Sequence, residues 1–221
     1  MGLGIELRNR IAKRASEEIK NGMVVNLGIG IPSLVPNFLS ANLNVMFHAE
    51  NGILGMGPSP EKGEEDENLC NAGGFPITLI SAGSYCDSCT SFGMIRRGRV
   101  DLTILGSLQV SEKGDLANWI VPGKKIPGMG GAMELAQKAK KVIVVMNHCD
   151  KNGEPKIVSD CTLPLTSSGC VHMIITEMGV FEIKESRLWL MELFHPFEIN
   201  DIFAKTGCEV QIDSTLRKLY D

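Results

Sequence analysis

A single acid, Glu50, stands where an apolar run of the sequence changes into a glycine-rich stretch. Residues 45–49 are mostly apolar, and Asn51 and a loop rich in glycine and proline follow Glu50. A carboxylate is already ionised at neutral pH, so it can act as a nucleophile without a partner base. Such a weak nucleophile needs an activated acyl donor, and a thioester is one. The position of Glu50 therefore predicts covalent catalysis on a thioester.

An attacking carboxylate also needs hydrogen-bond donors for the oxyanion that forms. Residues 128–131 directly precede a predicted helix that begins near Ala132, and their backbone N–H groups suit that task. Glycine accounts for 24 of the 221 residues, and further glycines follow predicted strands. These positions indicate a site lined by backbone. The clusters are Gly28 and Gly30; Gly52, Gly55 and Gly57; Gly73 and Gly74; and Gly123, Gly128, Gly130 and Gly131.

The same residues allow a second interpretation, which is dinucleotide binding. Gly28 and Gly30 follow a predicted strand, and Glu50 lies 20 residues after Gly30, where an acid could bind a ribose. However, Pro32 lies inside the motif and removes an N–H group that a pyrophosphate needs, and Ser33 occupies the third glycine position. Dinucleotide binding stays open as an alternative, as does a non-catalytic effector-binding module on a related sheet.

Short, β-branched apolar runs alternate with helical patterns and predict the fold class. Strands that are apolar on both faces belong inside a parallel sheet covered by helices. We therefore predict an α/β fold, with an open, mostly parallel, doubly wound sheet and helices on both faces, in one domain spanning residues 1–221. The predicted strands are 23–27, 43–48, 77–80, 101–105, 141–146 and 171–176. The predicted helices are 5–20, 32–40, 88–97, 132–140, 198–206 and 214–219, with a long loop from Glu50 to Asn71.

Composition argues against several classes of function. The chain has 22 Lys and Arg against 26 Asp and Glu, a net charge of −4, and its basic residues are scattered. A nucleic-acid partner is therefore not expected. No window approaches the roughly 18 apolar residues of a membrane-spanning helix, and the N-terminal residues lack the apolar run of a signal peptide. We expect a cytoplasmic protein with no membrane partner.

The seven cysteines are an odd number in a chain without an export signal, so free thiols are expected. Cys86 and Cys89 form a CxxC pair that stands alone in the sequence. A structural zinc site would need a second pair of ligands. We predict neither a metal nor a permanently bound cofactor.

The residues around Glu50 resemble the signature of a known family. The stretch FHAENGILG, residues 47–55, is similar to the Ser-Glu-Asn-Gly signature of the β chains of family I CoA-transferases, the 3-oxoacid type. Ala49 stands where that family has serine. The resemblance covers nearly the whole chain in the family's order and is strongest to the β chain of the butyrate–acetoacetate type. The other similar blocks are 26–32, 65–73, 101–119, 121–135, 161–166 and 174–182.

This resemblance implies a ping-pong transfer of CoA between a short-chain acyl-CoA or acetoacetyl-CoA and a free acid such as acetate or butyrate. Glu50 would attack the acyl-CoA, pass through a mixed anhydride and become a glutamyl-CoA thioester. CoA would thus be both substrate and covalent intermediate. The resemblance also implies an α subunit as partner, most simply in an α₂β₂ assembly, that carries much of the substrate pocket.

The resemblance also assigns roles to individual residues. Gly131 and Gly130 would offer backbone N–H groups to the oxyanion. His48, two residues before Glu50, should point to the same side of its strand, either as a core histidine or as a support for Glu50. The candidate contacts with CoA or substrate are Asn51, Gly52, Gly28 and Gly30.

Overall fold

The structure is a computed structural model that describes residues 4–71, 73–123 and 128–220. Its helices are α1 (Ile5–Ser16), a 3₁₀ helix (Pro32–Phe38), α2 (Ser88–Arg96), α3 (Ala132–Lys138) and α4 (Ile199–Lys205). Its strands are β1 (Val24–Leu27), β2 (Met46–Ala49), β3 (Ile53–Met56), β4 (Leu79–Tyr85), β5 (Leu102–Gly106), β6 (Gln109–Ser111), β7 (Leu116–Ala117), β8 (Lys141–Val145), β9 (Ile157–Val158), β10 (Met173–Ile175), β11 (Gly179–Lys184), β12 (Arg187–Phe194) and β13 (Val210–Leu219). No helix within these described ranges is long and apolar enough to cross a membrane.

Ten of these strands form one sheet in the order β13-β12-β11-β10-β8-β5-β1-β2-β3-β4. The central strands β10, β8, β5, β1 and β2 are all parallel to one another. Antiparallel pairs occur towards the two edges, between β2, β3 and β4 and between β10, β11 and β12. The predicted class, an open and mostly parallel sheet, is confirmed.

Helices cover both faces of the sheet because the central strands are apolar on both sides. In β8, Ile143 and Val145 pack with α1 in one core cluster. Val142 and Val144 point the other way and pack with residues of α3 and α4. The alternation of successive side chains across a strand accounts for the two cores. A second, three-stranded sheet, β7-β6-β9, adds its apolar residues to the core on the α3 side.

The predicted loop from Glu50 to Asn71 is wrong in its first part, because β3 lies inside it. β2 and β3 form an antiparallel hairpin in which Ala49 pairs with Ile53. The connection is Glu50, Asn51 and Gly52, closed by the Gly52 amide donating to the Ala49 carbonyl at 3.0 Å. A three-residue hairpin loop favours glycine where φ is positive, and Gly52 has φ 118°. The strand is only four residues long and contains a glycine, so its sequence signal is weak.

The C-terminal prediction of a helix at 214–219 is also wrong. These residues belong to β13, which pairs in parallel with β12 at the edge of the sheet. An edge strand with one exposed face carries many polar residues, and this pattern resembles an amphipathic helix. The hairpin β11–β12 was not predicted at all, and it turns at Glu185 and Ser186 with φ of 52° and 57°. The two strands of this hairpin are also held by pairing with β10 and β13, which a short stretch of sequence does not predict.

Candidate active site

Glu50 lies at the carboxyl end of the parallel strands, as the first residue of the β2–β3 hairpin loop. β1 runs parallel to β2 with Asn26 opposite His48. This register brings the Asn26 side chain next to the loop, and its Nδ2 donates a hydrogen bond to Oε2 of Glu50 at 3.1 Å. In the described part of the chain, no basic side chain forms an ion pair with Glu50. Among the described residues, the carboxylate is therefore oriented by a neutral amide and not by a cation.

His48 contacts the Asn26 amide through both its ring and its backbone carbonyl. Asn26 Nδ2 lies 3.3 Å from His48 Nδ1 and 3.1 Å from the His48 carbonyl oxygen. The amide has two N–H groups, and its two shorter contacts, both 3.1 Å, are with the His48 carbonyl oxygen and Oε2 of Glu50. His48 Nε2 lies 2.9 Å from Ser91 Oγ on α2. Burial lowers the pKa of His48, and the negative charge of Glu50 only partly opposes this. The ring is thus a neutral core histidine that also fixes the position of Asn26.

Gly131, the residue before α3, packs directly against the nucleophile candidate. A Cβ at this position would lie 2.9 Å from Cγ of Glu50 and 3.3 Å from its Oε1. Only glycine therefore allows the backbone of this segment to approach the carboxylate so closely. Gly130, with φ 55°, makes the turn that leads into this contact. Residues 124–127 of the block 121–135 lie outside the described residues.

Two of the candidate contacts, Asn51 and Gly52, hold the hairpin loop in place. Asn51 is exposed, and its Nδ2 donates to the Cys70 carbonyl oxygen at 2.9 Å, so it holds the long loop against the hairpin. Gly52 is buried, and a Cβ there would lie 2.2 Å from the Cys86 carbonyl oxygen. The Cys86 amide also donates to the Gly52 carbonyl oxygen at 2.9 Å. These contacts fix the conformation of the loop that carries Glu50.

The two glycines after β1 lie in different settings. Gly28 lines a cavity beside Glu50, and its amide donates to the Ile104 carbonyl oxygen at 2.8 Å. Gly30, with φ 91°, is not among the lining residues and accepts a hydrogen bond from Ser33 Oγ at 2.7 Å. The structure therefore brings Gly28 to the site and leaves Gly30 in the supporting turn.

The cavity beside Glu50 has a volume of about 510 Å³. It lies along β2 and is bounded by the 3₁₀ helix and by the segment that leads into β4. Most of the side chains that line it are apolar: Leu27, Ile29, Pro36, Leu39, Leu43, Val45, Phe47, Ala49, Met56, Pro58, Phe75, Ile77 and Ile80. Its volume is typical of small-molecule sites, which span roughly 300–1,000 Å³.

The sequence did not assign roles to Asn26 or Ser91. The only local signal for Asn26 is a single amide inside a buried apolar strand, two residues before Gly28. Ser91 lies on a helix predicted without any site residue. Cys86 and Cys89 are free thiols, and the described residues contain no group of His, Cys, Asp and Glu suited to hold a metal. The chemistry that this arrangement supports is nucleophilic attack by one carboxylate.

Comparison with known proteins gives a consistent result. A family model described as coenzyme A transferase matches residues 8–205. The probable coenzyme A transferase β subunit of Bacillus subtilis (strain 168) is 61% identical over 96% of this chain and 98% of that protein. The mitochondrial succinyl-CoA:3-ketoacid coenzyme A transferase 2A of Rattus norvegicus is 50% identical over 96% of this chain, which spans only 41% of that protein.

Solved structures share the fold. The acyl-CoA transferase YdiF apoenzyme from Escherichia coli O157:H7 matches 99% of this chain with a TM-score of 0.78 and 21% identity, over 44% of its own length. The glutaconate coenzyme A-transferase from Acidaminococcus fermentans matches 99% of this chain with a TM-score of 0.74 and 17% identity. At these identities the two structures support the architecture alone.

Proposed function

The chain belongs to the coenzyme A transferase family, and we propose that it is the β subunit of an enzyme that moves CoA from an acyl-CoA to a free carboxylic acid through Glu50. One observation carries the proposal: the Glu50 carboxylate is held by Asn26, contacts Gly131 and borders an apolar cavity. A carboxylate in this setting is a suitable nucleophile for a thioester.

The first half of the reaction makes and breaks two bonds at the acyl carbon. An oxygen of Glu50 attacks the thioester carbonyl, and the Gly131 backbone N–H, with Gly130 beside it, stabilises the oxyanion. The C–S bond breaks and CoA leaves as a thiolate with the bonding electrons. The product is a mixed anhydride between Glu50 and the acyl group.

The second half transfers CoA to the protein. The thiolate attacks the Glu50 carbonyl carbon of the anhydride, and the first acid leaves as a carboxylate. Glu50 is now a thioester of CoA. An incoming carboxylate attacks this thioester, and the same two steps in reverse release a new acyl-CoA and regenerate Glu50. No proton is gained or lost overall, and the kinetics are ping-pong.

Forming an anhydride from a carboxylate is uphill, so binding energy must offset it. Contacts to the distant parts of CoA supply that energy when they strengthen towards the transition state. Asn26 contributes by fixing one oxygen of Glu50, which reduces the orientational freedom that the attack would otherwise lose. His48 acts through Asn26 and has no direct contact with the reacting atoms in this scheme.

A partner α subunit completes the enzyme, most simply as an α₂β₂ assembly. Two observations support this. The B. subtilis relative is named as a β subunit, and the rat enzyme is a longer single chain of which this chain spans 41%. Acetoacetyl-CoA with acetate or butyrate is our favoured substrate pair. The names of several relatives give succinyl-CoA:3-ketoacid transfer, so succinyl-CoA is the alternative donor.

The deciding experiment is an intact mass measurement under acid. The assembled complex is incubated with acetoacetyl-CoA, quenched and digested. We expect a CoA-sized mass gain on this chain, located in the peptide that contains Glu50 and absent from Glu50→Gln. An unmodified chain with consumed donor would contradict the covalent route. Saturable NADH binding by fluorescence would instead favour the dinucleotide alternative, and ligand binding without turnover would favour an effector-binding module.

A further inference from the structure

The cavity beside Glu50 runs along the strand that ends at the nucleophile. Val45, Phe47 and Ala49 alternate along β2 or its approach, so their side chains point to the same side, and all three line the cavity. At roughly 3.3 Å per residue, about 16 Å of strand separate Val45 from Glu50. Glu50 lines the same cavity at its loop end, so an acyl group bonded to Glu50 in the anhydride can extend into this space.

We propose that this cavity holds the acyl chain of the substrate and, because no lysine or arginine is among its described lining residues, selects monocarboxylic acids over dicarboxylic acids. The inference rests on the proposed function and specifies the substrate class of the same site. The cavity also favours longer aliphatic chains, because its volume far exceeds that of acetate.

The charge of the lining carries the argument. Among the lining residues that the structure describes, none is lysine or arginine, and Glu50 is the acid. His48 also borders the cavity, but both of its ring nitrogens already have partners in Asn26 and Ser91. A second carboxylate on the substrate would thus be buried without a counter-ion among these lining residues. Such burial is strongly unfavourable.

The remaining polar groups of the lining are neutral. Ser33, Asn37, Ser59 and Asn71 contribute hydroxyls and amides. These groups suit the carbonyl oxygen of a 3-oxo acyl group, which needs a donor but no charge. The apolar remainder favours each added methylene of a chain by about fourfold in affinity until the cavity is filled.

The first test uses the unmodified α–β complex with one acyl-CoA donor and four acceptors: acetate, butyrate, hexanoate and succinate. We expect kcat/KM to rise from acetate to hexanoate and to be at least about 100-fold lower for succinate than for butyrate. Succinate accepted as well as butyrate would overturn the inference while leaving the proposed function intact. Transfer to none of the acids would remove the proposed function and this inference with it.

The second test separates the acyl chain from the pantetheine arm of CoA, which is also uncharged. Val45→Lys places a cation in the cavity, and Val45→Met is the matched control without charge. We expect Val45→Lys to lower the hexanoate-to-acetate ratio of kcat/KM at least tenfold and to raise the succinate-to-acetate ratio at least tenfold, with Val45→Met keeping the wild-type order. A raised KM for every acyl-CoA, with all acid ratios unchanged, would assign the cavity to pantetheine and overturn the inference. If Val45→Lys does not fold, the wild-type series still tests the preference for monocarboxylic acids.

Discussion

The side-chain amide of Asn26 lies 3.1 Å from Oε2 of Glu50, although the two residues are 24 positions apart in the chain. The same amide nitrogen lies 3.3 Å from His48 Nδ1. This contact follows from the parallel register of β1 and β2, which places Asn26 opposite His48, two residues before Glu50. The Asn26 amide is neutral and is itself held by His48, so it donates to Glu50 from a fixed position.

Loss of this donor is expected to slow the reaction. A hydrogen bond to a charged group contributes about 1.5–3 kcal/mol, so Asn26→Ala should lower the rate of glutamyl-CoA formation by roughly 10- to 100-fold. Asn26→Asp should be worse, because it sets a second negative charge against Glu50. The rate is measured by rapid quench and mass analysis. Asn152→Ala, an exposed asparagine in a surface turn, is the matched control and should keep the wild-type rate.

Adding one methyl group at Gly131 is expected to displace the nucleophile. The new Cβ would lie 2.9 Å from Cγ of Glu50, so Glu50 or the segment before α3 must move. A misplacement of about 1 Å can cost 100-fold in rate, and we expect at least that loss for Gly131→Ala in a steady-state assay. Gly93→Ala in α2 is the control, because nothing lies within 4 Å of a Cβ there. Equal activity of the two variants would argue against a role for Gly131.

The buried His148 is expected to make stability depend on pH. Its ring nitrogens contact the hydroxyls of Thr176 at 3.1 Å and Thr206 at 3.0 Å. Burial, with smaller contributions from the charges of Lys205 and Lys156, lowers the pKa of His148 to about 4. Between the ordinary value near 6.5 and about 4, the unfolded chain therefore binds a proton that the folded chain does not.

The free energy of unfolding should accordingly fall as the pH is lowered through this window, by roughly 3 kcal/mol from this residue. Urea unfolding at several pH values measures the slope. His148→Gln cannot titrate and should give a flatter curve, although its stability at pH 7 is lower. His48 and His172, whose pKa values burial also lowers, leave a residual slope of the same sign. An unchanged slope in the variant would contradict the assignment.

The ion pairs that join α1, β12 and β13 are expected to contribute strongly to the free energy of unfolding. Glu192 is 1% exposed, and its carboxylate accepts from Arg14 Nε at 2.6 Å and also pairs with Arg217. Arg14→Met leaves a buried carboxylate without its main partner, which should reduce the free energy of unfolding by about 3 kcal/mol or more.

Urea unfolding of single and double variants tests this network. The double variant Arg14→Met with Glu192→Met should recover most of the loss, since no charge is then left buried. Lys113→Met is the control, because Lys113 pairs with Asp160 at the surface, where solvent screens the pair and its contribution to stability is small. A loss for Arg14→Met no larger than that of Lys113→Met would show that solvent reaches Glu192.

The sequence by itself determined the features that depend on short stretches of chain. Runs such as 101–105 and 141–146 are apolar on both faces, which is enough to indicate central strands of a parallel sheet. The change from an apolar run to Glu50 and a glycine-rich turn similarly marked a carboxylate at the end of a strand. Local backbone preference and burial leave a direct record in such patterns.

Tertiary structure alone decided which residues meet. Asn26 reaches Glu50 because β1 and β2 are neighbours in register, and Gly131 reaches Glu50 from the segment that leads into α3. The same holds for residues 214–219, whose mostly polar sequence predicted a helix but which pair with β12 as part of β13. Strand order and register are set by the packing of the whole sheet, and no short stretch of sequence contains that information.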